Sequence, residues 1–487
     1  MTRSVKYNYI LNLVNIVLGI VFPLITFPYV TRILTPEGIG KVQFYSTIIE
    51  YVTLFVALGI PLYGVREIAK VRDNKELRNK ITVEVLVLHL ILTIIGYIAI
   101  FILCLIVSQI QENQTLFLII SISLALGTIG TQWFFQAIED FTYITIRSLI
   151  VRVIGLILLF VLVRNGDDVL QYAIVLTCGS AGNNVFNFVR LKKYISIDVF
   201  RNHLEPFHHL VPTLKIFLLN VTVGIYTQLA TLLLGTIQTN EAVAYYAMPQ
   251  RIANVVLCVV TALSGVLLPR LSNYIGNHQS DQFKDLGNKA ITFVLAITLP
   301  MAVGLMLLSE SITVVMFGET YHSSYLVLVI WAPIIAIIGL SQVYGKSLLY
   351  STGHELLMTF CTFLGMLTFL LVGILGIIHY SFYGAAVASL IAEGVVTLSM
   401  MIIGRKYHPC TIFRKENLTY LMASLIMSVP VYLCTFLDSN ILTIIAGVIS
   451  GIVTYCLILA IRKDLFYIEV KDYLINALSL CSNQHNN

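Results

Sequence analysis

The positions best able to handle charge in this chain sit in or beside long apolar runs. Arg66, Arg251, Arg270 and Lys346 could hold an anion, and Glu50 and Glu393 could exchange a proton or a small cation. Pro249, followed by Gln250 and Arg251, could bend the segment that presents the arginine. Glu50, Arg251 and Glu393 fall near the middle of their runs, a depth at which an ionisable group is costly unless it faces a cavity or a partner. Arg66 and Arg270 end their runs, and a guanidinium fork there matches two oxygens of a phosphate. The same residues serve equally well as positive anchors that snorkel to the headgroups, and the mid-run charges as structural pairs between helices. Counted from the ends of their runs, Glu50 and Arg251 have similar depths, so Arg251 is expected to pair with Glu50 and to exchange it for an anionic ligand.

Secondary candidates surround these. Glu84, Arg152 and Lys215 read as anchors or as lining of a cavity entrance. Asn183, Asn184, Asn187, Asn220, Gln228 and Asn254 could meet hydroxyls of a ligand or glue helices together. Trp133, Phe134 and Phe135 read as an aromatic belt or a stacking surface, and His203, His208 and His209 as part of a solvated loop.

What must position them is a stack of apolar helices. Only 11% of the residues are charged and 58% are hydrophobic, which excludes an ordinary soluble domain. Fourteen runs, the first near residues 9–31 and the last near 440–461, are each long enough to cross a hydrocarbon core of about 30 Å. The first reads as a retained span and not a signal peptide. Lys and Arg collect on alternate connections, at 66–80, 190–201, 405–415 and 462–471, which predicts that both termini are cytoplasmic. The eight cysteines show no C-x-x-C pair and imply neither disulfides nor a metal. Residues Leu465–Leu480 form a weakly amphipathic stretch expected at the membrane interface.

A shift of 204 residues superposes Thr35-Pro36-Glu37 on Thr239-Asn240-Glu241 and Arg66 on Arg270. A weaker echo pairs Thr131-Gln132-Trp133-Phe134 with Ser341-Gln342-Val343-Tyr344. The organisation this predicts is an N-terminal lobe of six helices at 1–190, a cytoplasmic linker at 191–211, a second lobe of six helices at 212–404, and two further helices with a tail at 405–487. Neither a G-x-x-x-x-G-K-[ST] loop nor an H-E-x-x-H motif occurs, and no connection is large enough for a soluble catalytic domain. These features point to a transporter rather than an enzyme.

Three segments carry a resemblance: T-R-I-L-T-P-E-G-I-G at 31–40, Y-G-V-R-E-I-A-K at 63–70, and Q-W-F-F-Q-A-I-E-D-F-x-Y-I at 132–144, with Y-Y-A-M-P-Q-R-I at 245–252 in support. They resemble the Wzx-type polysaccharide flippases of the multidrug/oligosaccharidyl-lipid/polysaccharide exporter superfamily. The resemblance implies a bacterial inner-membrane protein whose two lobes form a V around a central cavity and work by alternating access. Its substrate would be an undecaprenyl-diphosphate-linked oligosaccharide, moved to the periplasmic leaflet for O-antigen, capsule or exopolysaccharide assembly. Arg66, Arg251, Arg270 and Lys346 would then meet the substrate, and Glu50, Glu393 and Pro249 would serve coupling or gating. The implied partners are the lipid bilayer, polysaccharide polymerase and glycosyltransferases, with no nucleic acid and no cofactor beyond a coupling proton or sodium ion. A cation-coupled multidrug exporter of the same superfamily is the alternative; it would favour exposed carboxylates over cations in the cavity.

Overall fold

The computed structural model describes residue 19 and residues 22–195, 204–407 and 410–463. The expected interfacial stretch Leu465–Leu480, the terminal charges Arg3, Lys6 and Lys471, and Arg201 and His203 of the linker lie outside the described residues. Among the described residues every regular element is helical. That is what hydrocarbon demands, because a helix satisfies its own backbone hydrogen bonds. Nine of these helices are long and apolar enough to cross a membrane, or ten if one bent pair is a single span. The chain is a multi-pass helical membrane protein, and its contacts divide it into Met1–Ala244 and Tyr245–Asn487.

In the first unit, residues 22–33 are helical and lead into α1 (Pro36–Ala57). Thr35 caps α1 by accepting the Gly38 N–H at 3.2 Å, Pro36 occupies the first turn, and Glu37 faces the positive end of the helix dipole and pairs with Lys41 at 2.8 Å. The run expected as one span at 41–64 breaks at Leu58 and Gly59, both left-handed (φ 43° and 77°), and resumes as α2 (Ile60–Lys70) after a 40° bend. Gly59 is required there for a second reason, since a Cβ would lie 2.8 Å from the Thr213 carbonyl oxygen. The chain continues through α3 (Lys75–Ile106), α4 (Gln114–Ile129), the short α5 (Gln132–Ala137), α6 (Phe141–Leu162), α7 (Val169–Leu191) and α8 (Leu210–Ile237).

The first unit takes in α8, which the sequence reading grouped with the second lobe. Gly224 and Gly235 let α8 close on the Leu54 and Phe44 side chains of α1. At the far end of α8, Thr239 accepts the Ala242 N–H at 3.3 Å and starts α9 (Asn240–Gly276). Thr35 and Thr239 are the two threonines brought together by the 204-residue shift, and they perform the same N-cap. The weaker echo pairs positions of different backbone geometry, left-handed at Thr131 and right-handed helical at Ser341. Thr131, at φ 38°, interrupts α4 and α5, and after Ser341 the second unit changes from α- to π-helical geometry.

The second unit holds most of α9, then α10 (Ser280–Leu307), a short helix Ser309–Phe317, α11 (Tyr325–Ser341) with its π-helical continuation Gln342–Leu349, α12 (Glu355–Gly404), α13 (Lys415–Cys434) and α14 (Asn440–Arg462). A straight α12 of 50 residues would be about 75 Å long, far beyond any bilayer. It is a hairpin instead. Ser381 leaves helical geometry (φ 50°, ψ −132°), the backbones of Gly376 and Gly384 touch, and Gly365 lies against Ala392 and Val396. The two legs, at 355–378 and 382–404, are each an apolar run.

The tightest approach in the first unit is at Gly40, where a Cβ would collide with the Asn240 carbonyl oxygen, a backbone atom that no rotamer change can move. Gly40→Ala is therefore expected to destabilise the detergent-solubilised protein by about 1–3 kcal/mol. Gly127→Ala, at a helical position with open space around it, should leave the melting temperature unchanged or slightly raised. Equal melting of the two variants would contradict this packing.

Candidate functional site

Glu50 lies on α1 beside a small polar cavity of about 100 Å³ between α1, α4 and α7, lined also by Ser46, Thr53, Ser123, Thr177 and Ser180. Three of these hydroxyls spend their protons on their own helices: Thr53 on the Ile49 carbonyl at 2.7 Å, Ser123 on Ile120 at 2.7 Å, and Ser180 on Thr177 at 3.3 Å. Each therefore has only lone pairs left to present. On the other side, the Gln228 amide of α8 donates to Glu50 Oε2 at 2.6 Å. A carboxylate with hydroxyl lone pairs is an acceptor set, suited to a proton or a small cation and not to an anion.

Arg66 is exposed on α2, and its Nε meets Glu67 Oε1 at 3.0 Å; Lys70 meets the same oxygen at 2.9 Å. Beneath it is a buried relay that the sequence reading missed. Tyr63, His209 and Glu84 are 4%, 5% and 5% exposed, with Tyr63 Oη 2.7 Å from His209 Nδ1 and His209 Nε2 3.1 Å from Glu84 Oε2. Because a carboxylate only accepts, the proton sits on Nε2, and Nδ1 accepts from the tyrosine. Glu84 Oε1 also accepts the Glu205 backbone N–H at 2.9 Å. His209 is thus no solvated loop residue, and Glu84 is no simple anchor. Together they pin the end of the inter-lobe linker against α2 and α3. The signal available in the sequence was a carboxylate inside an apolar run together with a histidine just before one.

A second buried network joins α6 and α7. Arg147, 3% exposed, donates from Nε to Asn183 Oδ1 at 3.1 Å and also to Asn187 Oδ1. Arg190 pairs with Asp140, the N-cap of α6, at 2.6 Å and lies 3.9 Å from the Tyr143 ring centre. Asn183 and Asn187 are therefore helix glue, one of the two roles open to them. Trp133, Phe134 and Phe135 are neither a belt nor a stacking surface: they are buried against Ile60, Tyr63 and Leu88, with the Trp133 ring filling the space a Gly64 side chain would need.

In the second unit, Pro249 is buried in α9, and Arg251 and Glu393 are half-buried. The Tyr246 hydroxyl lies 2.9 Å from Ser389 Oγ, which already donates to the Ala385 carbonyl, so the tyrosine is the donor. Glu393 follows Ser389 by one helical turn and so lies beside this contact between α9 and α12, whereas Arg251, five residues after Tyr246, projects from another face of α9. Arg270 is exposed near the end of α9, about 28 Å along the axis from Arg251. Lys346 is exposed on the π-helical segment, between buried Gly345 and Ser347. Of the four candidate cations, Arg66 lies in the first unit and the other three in the second. Glu50 and Arg66 lie on the two arms of the bent pair, and Arg251, Arg270 and Lys346 are spread over two elements.

The buried relay yields a test of local stability. His209→Ala leaves the Tyr63 hydroxyl and the Glu84 carboxylate buried without their ring partner, so a loss of about 1–3 kcal/mol is expected. The matching variant His208→Ala, outside the relay, should change little. A melting temperature unaffected by His209→Ala would refute the relay.

Comparisons with known proteins agree with this architecture. Residues 5–275, more than half of the chain, match the profile of the family described as polysaccharide biosynthesis protein. A relative from Shigella dysenteriae that bears the provisional name of O-antigen transporter is 25% identical over 390 residues, covering 78% of this chain and 95% of its own length. A relative from Escherichia coli K12 with the same provisional name is 25% identical over 79% of this chain and 92% of its own. Among solved structures, the lipid II flippase MurJ in an inward closed conformation superposes with a TM-score of 0.69 at 17% identity, over 89% of this chain and 97% of its own. An inward-facing multidrug transporter of the MATE family follows at 0.61 and 16% identity, over 79% and 93%. These last two share the fold. With a profile matched over most of the first unit and into α9, with relatives aligned along nearly their whole length, and with an all-helical multi-pass architecture, the chain belongs to the polysaccharide biosynthesis protein family.

Proposed function

We propose that this protein is a flippase for lipid-linked oligosaccharides, crossing the bacterial inner membrane fourteen times with both termini in the cytoplasm. The observation that carries this reading is the alignment of two provisionally named O-antigen transporters over 95% and 92% of their own lengths. The substrate is an undecaprenyl-diphosphate-linked repeat unit, transferred from the cytoplasmic to the periplasmic leaflet by alternating access for O-antigen, capsule or exopolysaccharide synthesis. The chemistry of the chain is compatible with the diphosphate of that molecule. A diphosphate calls for guanidinium forks, and Arg66 and Arg270 are exposed at positions related by the 204-residue shift. Their existing contacts are no obstacle: Arg66 shares Glu67 with Lys70 at an exposed site, where an ion pair is worth about 0.2–1 kcal/mol. Arg251 and Lys346 take the phosphate further along the path, and bending at Pro249 changes the direction in which Arg251 points.

Replacing Arg66 and Arg270 together by Ala should abolish surface polysaccharide in the source cells and leave lipid-linked intermediates in the cytoplasmic leaflet, at unchanged protein levels. Normal polysaccharide in the double variant would reduce both residues to anchors and withdraw the capture role.

Coupling is assigned to the acceptor chamber at Glu50, with Glu393 as its counterpart in the second unit. Its geometry supports a proton or sodium ion as the driving species, because the Thr53, Ser123 and Ser180 hydroxyls, having spent their protons on their own helices, present lone pairs beside the carboxylate. Glu50→Gln should keep substrate affinity in proteoliposomes while making flipping insensitive to an imposed ion gradient. An undiminished response to both proton and sodium gradients would exclude Glu50 as the coupling group.

A further inference from the structure

On the first unit, α4 and α6 both pack on α7 and leave between them an apolar groove of about 520 Å³. Its walls include Ile122 and Ile154, its floor is built from small α7 residues such as Cys178 and Gly182, and Gly155 deepens one side. Ile122, Ile154 and Phe186 are 47%, 43% and 43% exposed, so the groove is open along its length. A groove of this kind by itself would take any hydrocarbon chain. What distinguishes it is its end. Val151 lines the groove and packs on Gly182, and one helical turn back lies Arg147, bound to Asn183 and Asn187, which directly follow the lining residues Gly182 and Phe186.

The charge at that end is unbalanced. Arg147 and Arg190 flank the Tyr143 ring at 5.4 and 3.9 Å, and Asp140 is bound to Arg190. Among the described residues no carboxylate pairs with Arg147, whose partners are amide oxygens. The amide nitrogen of fully buried Asn187 has no hydrogen-bond partner, which adds a donor to an end already rich in donors. Exposed Lys192 and Lys193 continue the positive charge beyond α7. An apolar trough ending in guanidiniums, facing hydrocarbon, has the chemistry of a lipid with a negative head.

We propose that this groove seats an anionic membrane phospholipid, with its phosphate against the outward half of Arg190 and one acyl chain lying between α4 and α6. Arg147, one layer deeper, contributes its field without touching the ligand. Its occupant is a resident lipid, not the transported substrate.

The test uses the full-length protein with its native cysteines replaced and a single one introduced by Ile122→Cys on the exposed wall, labelled with a fluorophore in phosphatidylcholine vesicles that contain a small fraction of lipid carrying a chain spin label. Spin-labelled phosphatidylglycerol should quench the label with about fivefold higher apparent affinity than spin-labelled phosphatidylcholine, the discrimination one basic residue gives near a membrane surface. Arg190→Gln should bring the two lipids close to parity, and Gly155→Leu, which fills the trough, should reduce quenching by both. Since losing the Asp140 pair could disturb α6, the unmodified arginine is also tested by salt: at about 1 M the preference should shrink as the charges are screened. Equal quenching by the two lipids in the parent protein would mean ordinary annular lipid and would overturn the proposal. A preference that survives both Arg190→Gln and high salt would overturn it as well.

Discussion

Hydrocarbon solvates neither a charge nor an open backbone group, and that constraint explains most of what this chain does with its few polar residues. Backbone groups are closed within helices. Buried side-chain charges are closed against partners chosen from whatever an apolar helix can carry. Glu84 is saturated by His209 and a backbone N–H, and Arg147 by two amide oxygens one turn apart on α7. Lys80, one turn earlier on α3, approaches Glu84 at 3.8 Å, but the closer partners of both charges come from other segments. Each network ties helix to helix, so satisfying the charge also fixes the packing.

The second consequence concerns how apolar helices hold together when lipid tails are as apolar as leucine. Contact must then come from close approach, and close approach from missing side chains. The segments that resemble the flippase family are largely of this kind. In T-P-E-G-I-G, Thr35 and Pro36 begin α1 while Gly40 admits the Asn240 backbone; in Y-G-V-R, Gly64 makes room for the Trp133 ring of Q-W-F-F. Asp140, in the E-D-F part of that motif, caps α6 and binds Arg190. Two of the three segments therefore recognise each other across α2 and α5. These segments serve packing here, and they carry the resemblance without being the place where chemistry is expected.

This explains which parts of the structure were legible in advance. Apolar run length reports helices directly, because one residue adds a fixed rise, and the threonine caps at 35 and 239 follow from residue type and spacing. Breaks inside runs were less visible. The bend at Leu58 and Gly59 interrupts no hydrophobic pattern, since Leu58 is as apolar as its neighbours and only its backbone changes. Partnerships were hardest to see: His209 and Glu84 are 125 residues apart, and nothing local distinguishes a histidine in a relay from one in water. Likewise, Trp133, Phe134 and Phe135 have a composition equally suited to a headgroup belt and to a core, and only the position of Gly64 decides between them.

The same physics separates the structural charges from those available to a ligand. Leaving a buried hydrogen-bonding group without its partner costs about 1–3 kcal/mol, and more for a charged group, so Glu84 and Arg147 cannot trade partners during a transport cycle without loosening the helices they join. An exposed pair is worth about 0.2–1 kcal/mol, and Arg66 can leave Glu67 for a phosphate at little cost. A capture residue therefore belongs among the weakly held cations at helix ends, and the strongly held ones inside form the frame. Glu50 lies between these classes. Its carboxylate is exposed yet bound to Gln228, and three hydroxyls of the chamber present lone pairs beside it. Protonation would remove the repulsion between the carboxylate and those lone pairs, whereas a bound cation would draw them together. Either event changes how α1, α4 and α7 pack around the chamber, and α1 is the helix whose bend leads to Arg66. A change at the chamber can thus reach the capture residue through a single bent element.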